Sequence, residues 1–289
     1  MTTVLDVQRF KDESRRFTML TAYDFLSAQI LDQAGIPILL VGDSLGMVML
    51  GYPTTLPVTM DEMIHHAKAV SRGARQALLV GDMPFMSYHS STEQAIESAG
   101  RFVKEGGMHA VKLEGGGRIA ELTQRLTGMG IPVMGHLGLT PQFVHQMGGF
   151  KVQGKTEAQA ARILADAREL EAAGAFSLVL EGVPTAVASR VTKSLRIPTI
   201  GIGAGPQTDG QVLVFHDFVG LTTGKAPKFV KRYANLADEI SRAAQRFSDD
   251  VRNGTFPGPE HEYTANGQPP ALRAGTPADK RDEVKYGAG

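Results

Sequence analysis

The sequence predicts a (β/α)8 barrel, the TIM-barrel architecture. Short unbroken apolar runs alternate with segments of helical pattern in eight successive units, as expected for parallel strands that are buried on both faces. Three of these runs share one lead-in, a helix end followed by a glycine and a strand: DQAGIPILLVGD, KEGGMHAVKLEG and EAAGAFSLVLEG. Eight such units close a barrel that is packed with side chains. The alternative is an open doubly wound sheet, in which ligands also bind at the carboxyl ends of the strands.

The eight predicted strands follow one another along most of the chain. They cover residues 17–23, 38–42, 78–81, 110–113, 132–135, 176–180, 198–202 and 212–215. Before them, residues 1–16 carry Val4, Val7 and Phe10 at helical spacing, which predicts a short N-terminal helix over one end of the core. The connection GYPTTLPVTMDEM is longer than usual for such folds and is therefore a candidate lid.

The end of the chain has a different composition. From about residue 254 onward it is rich in glycine and proline and carries almost no large apolar groups, so it cannot bury enough area to order itself. We therefore expect a catalytic barrel over residues 1–263 and a disordered C-terminal tail over residues 264–289. Removal of that tail should leave the fold and the rate unchanged.

Composition excludes several classes of function. Lys plus Arg and Asp plus Glu both total 30, so no net charge is available to attract nucleic acid or an anionic membrane. The absence of cysteine excludes disulfides, thiolate metal sites and cysteine nucleophiles, which leaves oxygen and histidine as metal ligands. The N-terminus lacks an apolar signal core, and no stretch reaches the length of a membrane span. A soluble, cytoplasmic protein is expected.

Acidic residues stand at the ends of four predicted strands: Asp43, Asp82, Glu114 and Glu181. Because the carboxyl ends of parallel strands meet at one end of a barrel, the four carboxylates should share one site. An acid after a strand is also a common N-cap of the next helix. Glutamate is a poor cap, however, and both glutamates here precede a glycine directly. The set as a whole therefore favours a functional site.

Other polar residues occupy comparable positions. Lys112 and Glu114 are two apart on one strand, so both side chains should face the same side, with a strand-end salt bridge as the structural alternative. His136 follows the fifth strand and is either a site residue or a satisfied structural histidine. His65 and His66 lie on a predicted helix and should be solvated.

The run GIGAG at residues 201–205 lacks the third glycine of a dinucleotide fingerprint and is a weak signal.

The acidic cluster suits a specific chemistry. Three hard oxygen ligands favour Mg²⁺, which keeps open positions for water or for a chelating substrate. A 2-oxo acid can chelate such a cation through its carboxylate and ketone, and the metal then stabilises the enolate formed at the adjacent carbon. Glu181, in the apolar phrase SLVLEGVP, is the candidate base for the carbon-bound proton.

A series of motifs carries a family resemblance. In order, they are VGDSLGM, LPVTM, DMPFMSY, VKLEGG, GHLGLTPQ, GGFKVQG, LVLEGVP, IPTIGIGAG, TDGQVLV and HD. Over about residues 5–262 the chain closely resembles the ketopantoate hydroxymethyltransferase family. The resemblance implies a homo-oligomer, a decamer of two stacked pentamers. It also implies transfer of a hydroxymethyl unit from the co-substrate 5,10-methylenetetrahydrofolate to 3-methyl-2-oxobutanoate (2-oxoisovalerate), which forms 2-dehydropantoate in pantothenate and coenzyme A biosynthesis.

The resemblance also implies roles for individual residues, by their positions in the matching motifs. The metal ligands for Mg²⁺ would be Asp43, Asp82 and Glu114; the residues that contact the oxo acid would be Asp43, Ser44, Asp82 and Lys112; and the proton acceptor would be Glu181.

Two other functions stay open. Mg²⁺-dependent barrels of the isocitrate lyase and phosphoenolpyruvate mutase group also use a GDS-like strand end and handle 2-oxo acids. The lyases of that group resemble one another in a cysteine-bearing catalytic loop, and this chain has no cysteine. A non-catalytic oxo-acid-binding protein is the other possibility, and the complete set of candidate base and metal ligands argues against it.

Overall fold

The computed structural model describes residues 1–224 and 226–263, and it confirms the closed barrel. Eight parallel strands pair in chain order, and the last pairs with the first. The strands are β1 (Phe17–Thr21), β2 (Ile38–Val41), β3 (Leu78–Asp82), β4 (Ala110–Glu114), β5 (Val133–Gly138), β6 (Ser177–Glu181), β7 (Thr199–Ile202) and β8 (Gly210–Leu213). The predicted tail, residues 264–289, lies outside the described residues.

Helices connect most of the strands. They are α1 (Val4–Asp12), α2 (Phe25–Gln33), α3 (Leu45–Val48), α4 (Met60–Gly73), α5 (Thr92–Lys104), α6 (Arg118–Gly128), α7 (Val144–Met147), α8 (Glu157–Ala172), α9 (Thr185–Ser194), α10 (Phe215–Phe218) and α11 (Leu236–Arg252). Capping boxes at Thr59 and Thr156 start α4 and α8, since each threonine hydroxyl accepts a backbone N–H that the first turn cannot satisfy. Among residues 1–224 and 226–263, no helix combines the length and the apolar character that a membrane span requires.

The core has an inner and an outer layer. Alternate strand residues such as Met19, Val80, Met134 and Ile200 fill the barrel interior. α1 contributes Val7 and Phe10 to the same cluster, so the predicted N-terminal helix does cover one end of the core. The other strand residues face the surrounding helices and form two further buried clusters.

This alternation decides where the charged residues of β4 point. Ala110 belongs to the inner cluster, whereas Val111 and Leu113 belong to an outer one. Lys112 and Glu114 have the same parity as Ala110 and therefore face the barrel interior, as the sequence predicts.

The last strand differs from its prediction. β8 is Gly210–Leu213 rather than residues 212–215, because Phe215 already begins the short helix α10. Gly210, which has the sequence character of a turn residue, pairs with Phe17 of β1. A Cβ at this position would lie 2.6 Å from Cε2 of the Phe17 ring, so the strand needs a glycine where that ring packs against it.

Contacts within the chain define two compact units, one of Met1–Ala234 and a second that begins at Asn235. The first contains the whole barrel. The described part of the second consists of α11 and a short 3-10 helix, Pro259–His261. The prediction that the catalytic domain extends to residue 263 stays a prediction.

Candidate active site

The site lies where β3, β4 and β5 end side by side. Strand register pairs Asp82 with Lys112 and Glu114 with His136, so neighbouring strands place their polar side chains next to one another. Lys112 Nζ lies 2.7 Å from Asp82 Oδ1 and 3.6 Å from Glu114 Oε1. It is also 3.3 Å from His136 Nδ1. The salt bridge between Lys112 and Glu114, which the sequence offered as the structural alternative, is present, but it lies inside a larger charged cluster.

Asp43 joins this cluster from the end of β2. Its backbone N–H donates to Asp82 Oδ2 over 3.2 Å, and its own Oδ2 accepts from Gln142 Nε2 over 3.0 Å. The next residue, Ser44, has its Oγ 2.9 Å from the hydroxyl oxygen of Tyr23, a fully buried residue. The loop after β2 thus places Asp43 and Ser44, two of the four predicted contacts of the oxo acid, at the same end of the barrel as the cluster.

Burial shifts the pKa values of the ionisable groups in this cluster. Asp43, Asp82, Lys112 and Glu114 are each no more than 3 % exposed. Burial, with repulsion from Asp82 and Glu114, raises the pKa of Asp43 well above its usual value. Burial also raises the pKa of Asp82, although the Lys112 ammonium opposes this.

The other two groups of the cluster shift toward their charged forms. Burial disfavours the Glu114 carboxylate, but Lys112 and His136 outweigh it, and the pKa of Glu114 is lowered. Burial likewise disfavours the Lys112 ammonium, but Asp82, Glu114 and Asp43 outweigh it and raise the pKa of Lys112. Lys112 is therefore held as a cation among carboxylates.

His136 connects the cluster to the fourth predicted acid. Its Nδ1 lies 3.3 Å from Glu114 Oε1, and its Nε2 lies 3.3 Å from Glu181 Oε2 at the end of β6. Burial and Lys112 lower the pKa of His136, but the contacts with Glu114 and Glu181 outweigh them and raise it to about 9. The side chain of Glu181 is 17 % exposed, more than any partner in this chain of contacts. Glu181 is thus the acid that a molecule at the mouth of the barrel can reach.

The structure brings the seven candidate residues together, and it adds two, Gln142 and Tyr88, to which the sequence analysis assigned no role. Gln142, in a 3-10 turn after β5, contacts Asp43 and Glu114, and the hydroxyl of Tyr88 donates to Gln142 Oε1 over 2.6 Å. Gln142 is the last residue of the quoted motif GHLGLTPQ, so a signal was present in the sequence.

Two motifs outside the cluster have structural explanations. A Cβ at Gly203 would lie under 3.0 Å from Phe229, and a Cβ at Gly205 would lie under 3.0 Å from Thr185, so packing accounts for these glycines of GIGAG.

The prediction that His65 and His66 are both solvated is half wrong. His65 is exposed, but His66 is half-buried and its Nδ1 lies 2.6 Å from the carbonyl oxygen of Tyr23, at the start of the loop that leads into α2.

The donor set suits a hard divalent cation. Three buried carboxylates repel one another, and a divalent ion would relieve that repulsion beyond what Lys112 provides. Over residues 1–224 and 226–263, no group of three or more His, Asp or Glu side chains is placed so that it could hold a metal ion by itself. Mg²⁺ commonly takes only one or two protein carboxylates and completes its shell with water and substrate. The residues therefore fit Mg²⁺ by their chemistry, with a partly non-protein coordination shell.

The fold and the site together define a class. A buried cluster of acids, a lysine and a histidine at the carboxyl end of a closed barrel is where (β/α)8-barrel enzymes carry their catalytic residues. The family model described as ketopantoate hydroxymethyltransferase matches residues 1–259. The chain belongs to the ketopantoate hydroxymethyltransferase family.

Named relatives agree with this assignment. The 3-methyl-2-oxobutanoate hydroxymethyltransferase of Syntrophus aciditrophicus (strain SB) is 58 % identical over 257 residues, which cover 89 % of this chain and 94 % of that protein. The protein of the same name from Chloroflexus aurantiacus is 57 % identical over 259 residues, with 90 % and 92 % covered. The family match over residues 1–259 contains the whole barrel, whose last strand ends at Leu213.

Solved structures of low identity share the fold. Phosphonopyruvate hydrolase superposes with a TM-score of 0.58 at 14 % identity, covering 88 % of each chain. 2,3-Dimethylmalate lyase, a member of the PEP mutase/isocitrate lyase superfamily, superposes with a TM-score of 0.57 at 18 % identity, covering 92 % of this chain and 93 % of that one. These similarities concern architecture alone.

Proposed function

We propose that this protein transfers a hydroxymethyl unit from 5,10-methylenetetrahydrofolate to 3-methyl-2-oxobutanoate and so forms 2-dehydropantoate for pantothenate biosynthesis. The observation that carries the proposal is the continuous chain of contacts from Asp82 through Lys112, Glu114 and His136 to Glu181, in a chain whose relatives bear the name of this activity. It joins candidate metal ligands, a substrate-binding cation and an accessible base.

Mg²⁺ is the proposed metal, with Asp43, Asp82 and Glu114 as the residues that would hold it. When bound, the metal would polarise the 2-oxo group and so favour loss of the proton at C3. Phosphonopyruvate hydrolase, which shares the fold, was solved in complex with oxalate and Mg²⁺. That structure is a precedent for the metal in this architecture.

The chain's own residues would bind and orient the oxo acid. Lys112, kept cationic by its carboxylate neighbours, is suited to hold the substrate carboxylate or the developing oxyanion. Ser44 offers a hydroxyl whose orientation is set by buried Tyr23. Because the amine is held protonated, Lys112 is a poor nucleophile, which argues against a Schiff base with the ketone.

Glu181 would accept the proton from C3 of the oxo acid. The C3 carbon then bonds to the methylene carbon of the folate, both bonds from that carbon to the folate nitrogens break, and water supplies the hydroxyl of the product. The proton taken by Glu181 and the second proton of the water end on the two nitrogens. His136 stands between Glu181 and Glu114, so it can hold the base in place. Tetrahydrofolate leaves as the second product.

Localisation and assembly belong to the same proposal. We propose a cytoplasmic homo-oligomer, a decamer of two pentamers, that binds small molecules and neither nucleic acid nor membrane. Exposed apolar side chains on α2, namely Phe25, Leu26 and Ile30, support a surface for assembly. Light scattering should give ten times the 31.0 kDa mass of the chain.

A direct assay tests the activity. The purified protein with 2-oxoisovalerate, 5,10-methylenetetrahydrofolate and Mg²⁺ should form 2-dehydropantoate. The alternative is a Mg²⁺-dependent C–C lyase or mutase of the isocitrate lyase and phosphoenolpyruvate mutase group, a member of which shares the fold. Absence of 2-dehydropantoate together with cleavage of another 2-oxo acid would decide for that alternative.

A further inference from the structure

We propose that Gln142 is a positioning residue that holds Asp43 and Glu114 in the arrangement needed for Mg²⁺ and the oxo acid, and that Tyr88 fixes the orientation of its amide. This inference rests on the proposed function. Gln142 is 3 % exposed and has no place in the proton transfer. It nevertheless connects segments that follow β2, β3 and β5 with the end of β4.

All polar atoms of the Gln142 side chain are used. Nε2 donates to Asp43 Oδ2 over 3.0 Å and to the carbonyl oxygen of Met83 over 2.9 Å, while Oε1 accepts from the Tyr88 hydroxyl over 2.6 Å. A flipped amide would place its oxygen against the two acceptor oxygens of Asp43 and Met83. Only one orientation therefore satisfies the network.

The backbone of Gln142 holds the second acid. Its N–H donates to Glu114 Oε2 over 3.1 Å. This N–H lies in the first turn of a 3-10 helix that begins at Pro141, where N–H groups have no partner within the helix. The turn thus supplies a donor that the acid can use without competition.

Each acid of the cluster is anchored through one oxygen. Gln142 holds Oε2 of Glu114, while Oε1 faces Lys112 and His136. Asp82 shows the same division, since its Oδ2 accepts from the Asp43 N–H and its Oδ1 faces Lys112. Gln142 likewise occupies Oδ2 of Asp43. Neutral donors on one oxygen leave the other for a cation, which is the arrangement that a monodentate metal ligand needs.

Tyr88 fixes the orientation of the Gln142 amide. Its hydroxyl donates to Gln142 Oε1 and accepts from the Glu114 N–H over 3.2 Å, so it links the amide to the strand that carries Glu114. The residue is 4 % exposed. Loss of the hydroxyl would leave the ring packed but would remove the group that distinguishes the two amide orientations.

The test compares Gln142→Met, which keeps the length of the side chain without its donors, with Tyr88→Phe. The matched control is Ser98→Ala, which removes a buried hydroxyl that donates to the Ser87 carbonyl oxygen and contacts no acid. Titration calorimetry measures Mg²⁺ affinity in the presence of 2-oxoisovalerate, and thermal unfolding measures stability. Loss of an outer hydrogen bond to a ligand typically weakens metal affinity by about 10–100-fold, and we expect this for Gln142→Met.

Tyr88→Phe should weaken Mg²⁺ binding in the same direction but less, and Ser98→Ala should change stability alone. Should Gln142→Met fail to fold, Tyr88→Phe carries the test. The inference is overturned if a folded Gln142→Met variant binds Mg²⁺ and 2-oxoisovalerate with wild-type affinity. If Gln142→Met does not fold, wild-type affinity in Tyr88→Phe overturns it. Either result leaves the proposed function intact. If the wild-type protein binds neither ligand, the proposed function and this inference fall together.

Discussion

The two ends of the barrel pair their charged residues in different ways. Near the amino end, a single carboxylate, Asp209, is surrounded by donors: its Oδ2 lies 2.8 Å from Lys11 Nζ and accepts from the backbone N–H and the hydroxyl of Thr199 over 2.8 and 3.0 Å. At the carboxyl end, four acids, Asp43, Asp82, Glu114 and Glu181, lie around two groups that are held as cations, Lys112 and His136. The first arrangement is balanced within itself, whereas in the second the acids outnumber the cations.

This difference separates a stabilising role from a functional one. A balanced pair at the amino end fixes α1 and the start of β7 to the barrel. Surplus charge in a buried site costs stability, and it is retained where a cation or a reacting group supplies the missing partner. Changes at the carboxyl end should therefore alter binding and rate, and changes at the amino end should alter stability.

The largest effect is expected from removal of the metal. If Asp43, Asp82 and Glu114 hold Mg²⁺, a chelator should abolish turnover, and each acid changed to Ala should lose both Mg²⁺ and oxo-acid binding. Rate measurement before and after chelation, followed by addition of Mg²⁺, checks this. Full activity after exhaustive chelation would contradict the proposed site.

Glu181→Gln should cause a smaller but still large loss of turnover. Removal of a general base typically lowers the rate by a factor on the order of 10²–10⁴. Since Glu181 lies at the open end of the contact chain and away from Asp43 and Asp82, the variant should bind 2-oxoisovalerate normally. Turnover and oxo-acid affinity measured on the same preparation separate the two effects, and a weakened affinity with an unchanged rate would reverse the assigned role.

Lys112→Arg should have an intermediate effect. The guanidinium keeps the positive charge but cannot occupy the position 2.7 Å from Asp82 with the same geometry, so partial oxo-acid binding should remain. Borohydride added with 2-oxoisovalerate to the wild-type protein should trap no covalent adduct. A reduced adduct on Lys112, detected by mass spectrometry, would replace the electrostatic role with Schiff-base chemistry.

The smallest effect on rate is expected from Asp209→Asn. This change removes the partner of Lys11, and the loss of a charged hydrogen-bond network of this kind costs about 1–3 kcal/mol of unfolding free energy. Thermal unfolding should detect the loss, while turnover should stay at the wild-type value. A large fall in rate with unchanged stability would show that the two ends are not separated in role.

Periodicity made one part of the site predictable. Asp43, Asp82, Glu114 and Glu181 were placed together because buried parallel strands end at the same face, and Lys112 followed from its parity with Glu114. Gln142 and Tyr88 were not predicted, because a loop has no periodicity. The contacts that give Gln142 its role join residues 99 and 54 positions apart, and only the closed barrel brings them together.

The fold was predictable to a similar degree. The eight units were found, but β8 was displaced because Gly210 has the character of a turn until Phe17 is seen to pack on it. No expectation covered α11, although Leu236, Ile240 and Phe247 recur at helical spacing. Its N-cap, Asn235, makes no side-chain capping hydrogen bond to the helix backbone, so the usual start signal is weak.

Proton exchange at C3 of 2-oxoisovalerate tests the central claim most directly, because it isolates the step assigned to Glu181 from the folate co-substrate. Nuclear magnetic resonance in D₂O with Mg²⁺ follows loss of the C3 proton signal. The wild-type protein and Asp209→Asn should both exchange this proton, whereas Glu181→Gln should bind the oxo acid without exchange. Undiminished exchange in Glu181→Gln would contradict the assignment of the base and, with it, the functional reading of the carboxyl end.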